Sequence, residues 1–216
     1  MDLLLKNSIG TGRLEKRSTA ILAIHWQVDA VKPEGAFGPA FAETAAKLGV
    51  IERTAGVLAV ARAHQVPIIY INVCFWPGFS DLIRNNALFN TVWNMKAFVR
   101  GTKGAEVIPE LTPQAGDYVF SHSRISAFYG TDLEATLKGL KIETLVFTGI
   151  ATNVAVDHSV RDAAQLGFST VILNDCCCTS TPEYHEASLM TLRVLATQIT
   201  DSETFCRVIE AQPALT

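Results

Sequence analysis

Basic charge is scarce. The 216 residues carry 18 Lys and Arg against 21 Asp and Glu, a formal net charge of −3. No short window gathers Lys and Arg beyond what a solvated face normally carries, so a row of phosphates finds no surplus of cations and nucleic acid is not an expected partner. Long apolar runs are missing too. The opening MDLLLKNSIGTGRLEKRS holds only three consecutive leucines, far short of a signal-peptide core. No segment approaches the ~18 apolar residues that span a bilayer, so we expect a cytoplasmic protein with no membrane association. Cysteine is sparse and poorly spaced. Of five, three are adjacent (Cys176, Cys177, Cys178) and none forms the C-x-x-C pair of a zinc site, so they read as reduced thiols.

What is present is apolar content, at 49% of the residues, too much for disorder and enough for one large core. With no internal repeat, low-complexity tract or linker, a single domain is expected over residues 19–210, after a polar arm over 1–18. Short continuous apolar runs suit strands buried on both faces: TAILAIHW, PIIYINVC, DYVFSHS, ETLVFTG and STVILND, with TQITD as a short sixth. From Pro39 to His64, Phe41, Ala45, Leu48, Leu58 and Arg62 recur at helical steps. TNVAVDHSVRDAAQLG and TPEYHEASLMTLRVLAT follow the fourth and fifth strands with the same pattern. Strands alternating with helices argue for right-handed crossovers and a mostly parallel sheet between two helix layers, a three-layer α/β/α fold. Ligands in such sheets bind beyond the carboxyl ends of the strands. Those ends hold His25-Trp26-Gln27, Cys74-Phe75-Trp76, Ser121-His122-Ser123, Gly149-Ile150-Ala151-Thr152 and Asp175-Cys176. Residues 75–116, rich in aromatic and Pro-Gly features, are too long for a turn and read as a lid with short helices.

Within residues 124–177, the ordered series SAF-x-GTDL, TG-x-AT and RDA, together with ILAIHWQVDA and FWPG upstream, resembles the isochorismatase-like hydrolases, also called the cysteine hydrolase superfamily. The resemblance covers roughly residues 19–200. It implies a doubly wound, Rossmann-like six-stranded sheet and a hydrolase site at strand ends: an Asp base closing the first strand, a Lys closing the third, and a Cys nucleophile after TG-x-AT. It also implies main-chain N–H donors for the oxyanion beside a cis peptide. All three side-chain positions differ here, reading His25, His122 and Ala155. Ala155 has no lone pair and closes covalent catalysis at that position. Members that cleave the enol ether of isochorismate also lack the Cys, although they keep the Asp. The peptide unit Ala151-Thr152 and the N–H groups of Thr152 and Ala155 match the family's oxyanion donors, which survive side-chain replacement.

A single buried His is more often a satisfied structural residue than a catalyst. His25 and His122, however, fall separately on the family's base and cation positions, so the fold should bring both imidazoles into one pocket. Neighbouring imidazoles resist joint protonation, so the pair is expected to share one proton near pH 7, one ring cationic and one neutral. Metal binding would need a third ligand, for which Asp29 is the nearby candidate, and the family's Asp-x-His…His metal loop has no counterpart here. No metal and no cofactor are expected. Trp26, Phe75, Trp76, Trp93, Phe128 and Tyr129 all fall in strand-end loops or the lid and are expected to line a pocket for a flat ligand. Gln27 is a further polar candidate there. Arg124 stands equally as a carboxylate partner or as a surface or interface salt bridge.

The expected function is hydrolysis of a small cyclic or conjugated substrate, an amide, imide or enol ether, by non-covalent acid–base work of the His pair and main-chain oxyanion donors. Two alternatives stand beside it: a catalytically inactive protein that binds a small metabolite, and a thiol hydrolase using Cys74. Apolar residues on more than one helix face, as in GVLAVA, add the expectation of a homodimer or homotetramer.

Overall fold

The runs TAILAI, IIYINV and TLVFTGI are buried at every position, and strands apolar on both faces need helices on both sides of their sheet. The computed structural model, which describes residues 14–213, meets that need with one sheet. Its strands are β1 (Thr19–Ile24), β2 (Ile68–Val73), β3 (Tyr118–His122), β4 (Thr144–Ile150), β5 (Ser169–Cys178) and β6 (Gln198–Thr200). They lie in the order β3-β2-β1-β4-β5-β6 and every pairing is parallel. The chain winds outward from β1 to one edge and then, from β4, to the other. The point where the direction reverses, between β1 and β4, is where a crevice opens beyond the strand ends.

The helices are α1 (Val28–Val31), α2 (Gly38–Leu48), α3 (Val50–Ala63), α4 (Ala87–Met95), α5 (Leu133–Gly139), α6 (Asp157–Gln165), α7 (Pro182–Leu192) and α8 (Ser202–Glu210). The two-residue period of a strand divides the core. Ile21 and Ala23 of β1 join a cluster with Val57 and Leu58 of α3 and Phe205 of α8. Ala20, Leu22 and Ile24 join another with Leu137 of α5, Val160 of α6 and Leu189 of α7. These are the two outer layers. No described helix is long and apolar enough to cross a membrane.

Several details depart from the expectations. The helical pattern over 39–64 is two helices, because Gly49 adopts φ 63°, closes α2 with its N–H on the Ala45 and Ala46 carbonyls, and starts α3 in a new direction. Periodicity alone is blind to such a break, whereas the glycine that permits it is visible. β3 is an edge strand, exposed at Tyr118 and Val119 rather than buried throughout. β5 runs on to Cys178 across a register shift against Phe147/Gly149. Helix α8, capped by the Asp201 side chain on Thr204 N at 2.7 Å, was not foreseen. Of the proposed arm, residues 1–13 lie outside the described residues. The rest is tied down: Lys16 is buried and its Nζ donates to the Gln212 carbonyl at 3.0 Å. Residues 75–116 hold α4 and two short 3-10 turns, pinned by bridges between Phe75 and Val99 and between Gln27 and Val107.

Candidate active site

His25 follows directly on β1, where its backbone turns into the left-handed region (φ 54°) and its N–H stays on the Ile71 carbonyl at 2.9 Å. His122 closes β3, two strands away. The rings meet across the end of β2, Nε2 to Nε2 at 2.8 Å, with 9% and 3% of the two residues exposed. His122 Nδ1 lies 2.9 Å from the Ser126 carbonyl oxygen. A carbonyl can only accept, so His122 carries its proton on Nδ1 and offers the lone pair of Nε2. His25 must then donate from Nε2, which leaves its Nδ1 as the basic atom.

Burial pushes the His25 imidazole well below its ordinary range, with the adjacent ring adding to the effect. His122 is lowered to about 4 by burial, against a smaller opposing pull from the Ser126 carbonyl. Both rings are therefore neutral at pH 7. The expected shared proton with one cationic ring is corrected: removing charge from water outweighs the advantage of splitting one charge between two neighbours. The 2.8 Å bond is that of two neutral, complementary tautomers.

A cleft partly open to solvent lies beside this pair. His25, Phe75, Phe89, Arg124, Ala151 and Ala155 are among its walls. His122 is not; it sits behind His25. The turn that follows β4 forms another side. The Ile150–Ala151 peptide is cis, and the Ala151 carbonyl accepts from Val154 N at 3.1 Å and Val156 N at 3.3 Å as a π-helical turn, Thr152–Val156, leads into α6. Thr152 and Ala155 belong to this opening turn. Gly149 brings β4 against β1: at φ 148°, a Cβ there would lie 2.4 Å from the Ile24 carbonyl oxygen.

The structure redistributes several proposed contacts. Trp26 is wholly buried in the core, its Nε1 donating to Thr148 Oγ1 at 3.2 Å. Gln27 is a staple: its Nε2 donates to the carbonyls of Val73 (2.9 Å) and Ala105 (2.8 Å), and its Oε1 accepts from Val73 N (2.9 Å), which leaves nothing for a ligand. Trp76 is 55% exposed beneath Arg100, and Trp93 lies outside the cleft with Arg84 over its ring. Phe128 stacks on Phe168 on the opposite side of the sheet, and Tyr129 is 68% exposed. Thr152 is not among the cleft walls: it is wholly buried, with its hydroxyl 2.9 Å from His185 Nδ1. Asp29 accepts from the N–H groups of Ala36 and Phe98, and no group of three or more His, Cys, Asp or Glu among the described residues is arranged to hold a metal.

Cys74 does not line the cleft. Its thiol is pushed up by burial, so thiolate is scarce where a nucleophile would need it. The walls that sequence reasoning missed are apolar: Phe37, Phe41, Val92, Phe98 and Ile125. Phe37 stacks on both Phe41 and Phe98, with ring centroids 6.3 and 5.6 Å apart. In a sequence, such residues are indistinguishable from core.

Comparison with known proteins agrees with this architecture. The isochorismatase domain model matches residues 19–204. The chain is 29% identical over 205 residues to ureidoacrylate amidohydrolase RutB of Methylobacterium radiotolerans, covering 89% of this chain and 80% of that protein. Among crystal structures, an isochorismatase family protein from Desulfovibrio vulgaris superposes with a TM-score of 0.79 at 25% identity, over 90% of this chain and 99% of that one. Nicotinamidase PncA from Bacillus subtilis shares the fold, with a TM-score of 0.70 at 24% identity over 85% and 99% of the two chains.

Proposed function

Because the chain belongs to the isochorismatase family, whose relatives of this chain are hydrolases, we propose that it hydrolyses a small amide-like substrate without forming a covalent enzyme intermediate. The observation that carries this reading is the 2.8 Å contact between two buried, neutral imidazoles at the wall of a cleft whose nucleophile position is occupied by alanine. Of amide, imide and enol ether, the amide has the support of the relatives' activities.

The tautomers give the couple a direction. A water in the cleft gives its proton to His25 Nδ1 as its oxygen attacks the carbonyl carbon. The His25 Nε2 proton moves to His122 Nε2. Positive charge then rests on His122, whose Nδ1–H remains on the Ser126 carbonyl and is steadied by it. Of the two rings His122 is the one with such an acceptor, so the charge has a reason to settle there. Of the expected main-chain donors Ala155 lines the cleft, and its N–H receives the developing oxyanion. Reversal of the proton path supplies the leaving nitrogen, so one couple serves as base and then as acid.

The test is turnover on a panel of amides, imides and enol ethers, read as release of ammonia, amine or carboxylate. His25→Asn and His122→Asn should each lower kcat by roughly 10²–10⁴-fold while ligand binding persists. Turnover indifferent to both substitutions, or no turnover across the panel, would refute it. A homodimer or homotetramer belongs to the same reading, supported by exposed Tyr184, Met190, Val194 and Leu195 on and just after α7. Light scattering of the purified chain decides it.

A further inference from the structure

We propose that the cleft selects a flat molecule bearing a single carboxylate, with Arg124 as its receptor; that this molecule is the substrate rests on the hydrolase reading, whereas the binding claim concerns the cleft alone. Among the described lining residues, Arg124 is the only charged side chain, since His25 is neutral and the other walls are aliphatic or aromatic. Its guanidinium lies over the Phe89 ring, 4.4 Å from the centroid. That contact holds the plane of the fork but satisfies none of its N–H groups. Nη1 is buried with no hydrogen-bond partner, and none of the ion pairs among the described residues involves Arg124.

Folded proteins rarely leave a buried charged donor unpaired. When one lines an open cleft beside the proposed base, the missing partner is a ligand group. The chemistry of that group follows from the donor. A guanidinium presents parallel N–H bonds that match the two oxygens of a carboxylate. A phosphate dianion would call for further cations, and the described lining supplies none. The apolar remainder of the wall, with Phe75, Phe89 and Phe98, fits a planar hydrocarbon or conjugated body and offers little to a sugar or a second charge.

The test uses benzoate, cinnamate and naphthoate against the corresponding uncharged alcohols, which no hydrolase consumes. Binding is measured by calorimetry at pH 7.5 to the wild type and to Arg124→Met and Arg124→Lys. At least one carboxylate should bind the wild type roughly ten- to a hundredfold more tightly than its alcohol. Arg124→Met should abolish that preference. Arg124→Lys keeps the charge but not the fork, so it should lower the preference several-fold, and it provides the readout if the Met variant does not fold. No preference in the wild type, or one unchanged by the Arg124 variants, overturns the proposal. A preference without turnover would instead sink the hydrolase reading and leave the receptor intact. Turnover of uncharged amides that is indifferent to Arg124→Met would do the reverse.

Discussion

Removing both imidazoles should change how stability responds to acid. Burial holds His122 down to about 4 and lowers His25 as well, whereas in the unfolded chain each ring titrates near its ordinary value of about 6.5. On acidification the unfolded state therefore takes up protons that the folded state refuses. The stability contributed by this difference is fully present above pH 6.5 and drains away as pH falls toward 4. At pH 5.5 His122 alone should cost about 1 kcal/mol, rising to about 3 kcal/mol by pH 4, and His25 adds to this in the same direction. Urea unfolding at pH 7.5 and 5.5 reads the loss directly, comparing the wild type with His25→Asn/His122→Asn. Other titrating groups, including His185, which burial also lowers, are common to both proteins and cancel. The wild type should lose at least about 1 kcal/mol more than the double variant, equivalent to a Tm difference of roughly 2–4 °C for a chain of this size. Equal losses would refute the neutral couple. A wild type that gained stability relative to the double variant on acidification would show that the folded pair holds a shared proton after all.

Two further outcomes follow from the same geometry. Cys74→Ala should leave turnover within about twofold of the wild type, and iodoacetamide should leave the wild type active, because the thiol is buried, raised in pKa and outside the cleft; loss of activity in either would restore the displaced-thiol mechanism. Gly149→Ala should cost about 2–4 kcal/mol of stability, since its Cβ would meet the Ile24 carbonyl oxygen at 2.4 Å in a backbone conformation that side chains rarely adopt; a denaturation midpoint unchanged from the wild type would show that β1 and β4 can part at no cost.

The fold was legible because fully buried parallel strands announce themselves as uninterrupted apolar runs and their order is constrained by right-handed crossovers. Element ends were less so. Gly49 divides α2 from α3 without disturbing the apolar period on either side, and α8, although amphipathic, is only nine residues long and follows a strand of three. At the site, the positions of His25 and His122 were readable because strand ends are fixed by strand starts and by register. Their protonation was not. It depends on how much water reaches the rings, and that is set by side chains far away in the chain. The same holds for the cleft walls. Trp26 and Phe75 both follow strands, yet one turns into the core against Thr148 and the other toward the cleft. Direction at a strand end is decided by a single backbone angle, as at His25, and composition carries no trace of it.

The resemblance implies an Asp, a Lys and a Cys where this chain has His25, His122 and Ala155, and on that reading the three departures are one change. A buried carboxylate and a buried ammonium compensate each other, and replacing either alone leaves an uncompensated charge that costs several kcal/mol. Replacing both by neutral imidazoles keeps the local net charge at zero and relieves the desolvation of two ions. A hydrogen bond of 2.8 Å joins His25 and His122. With no carboxylate left to take a proton from a thiol, a cysteine at position 155 would have little thiolate to offer in so buried a place, and alanine there forfeits little. The substitution also alters what the cleft attracts. Neither imidazole carries a formal charge, so Arg124 is left as the one charged side chain among the described cleft walls. A neutral proton-transfer couple beside an uncompensated guanidinium is an arrangement in which the charge needed to complete the site arrives with the ligand.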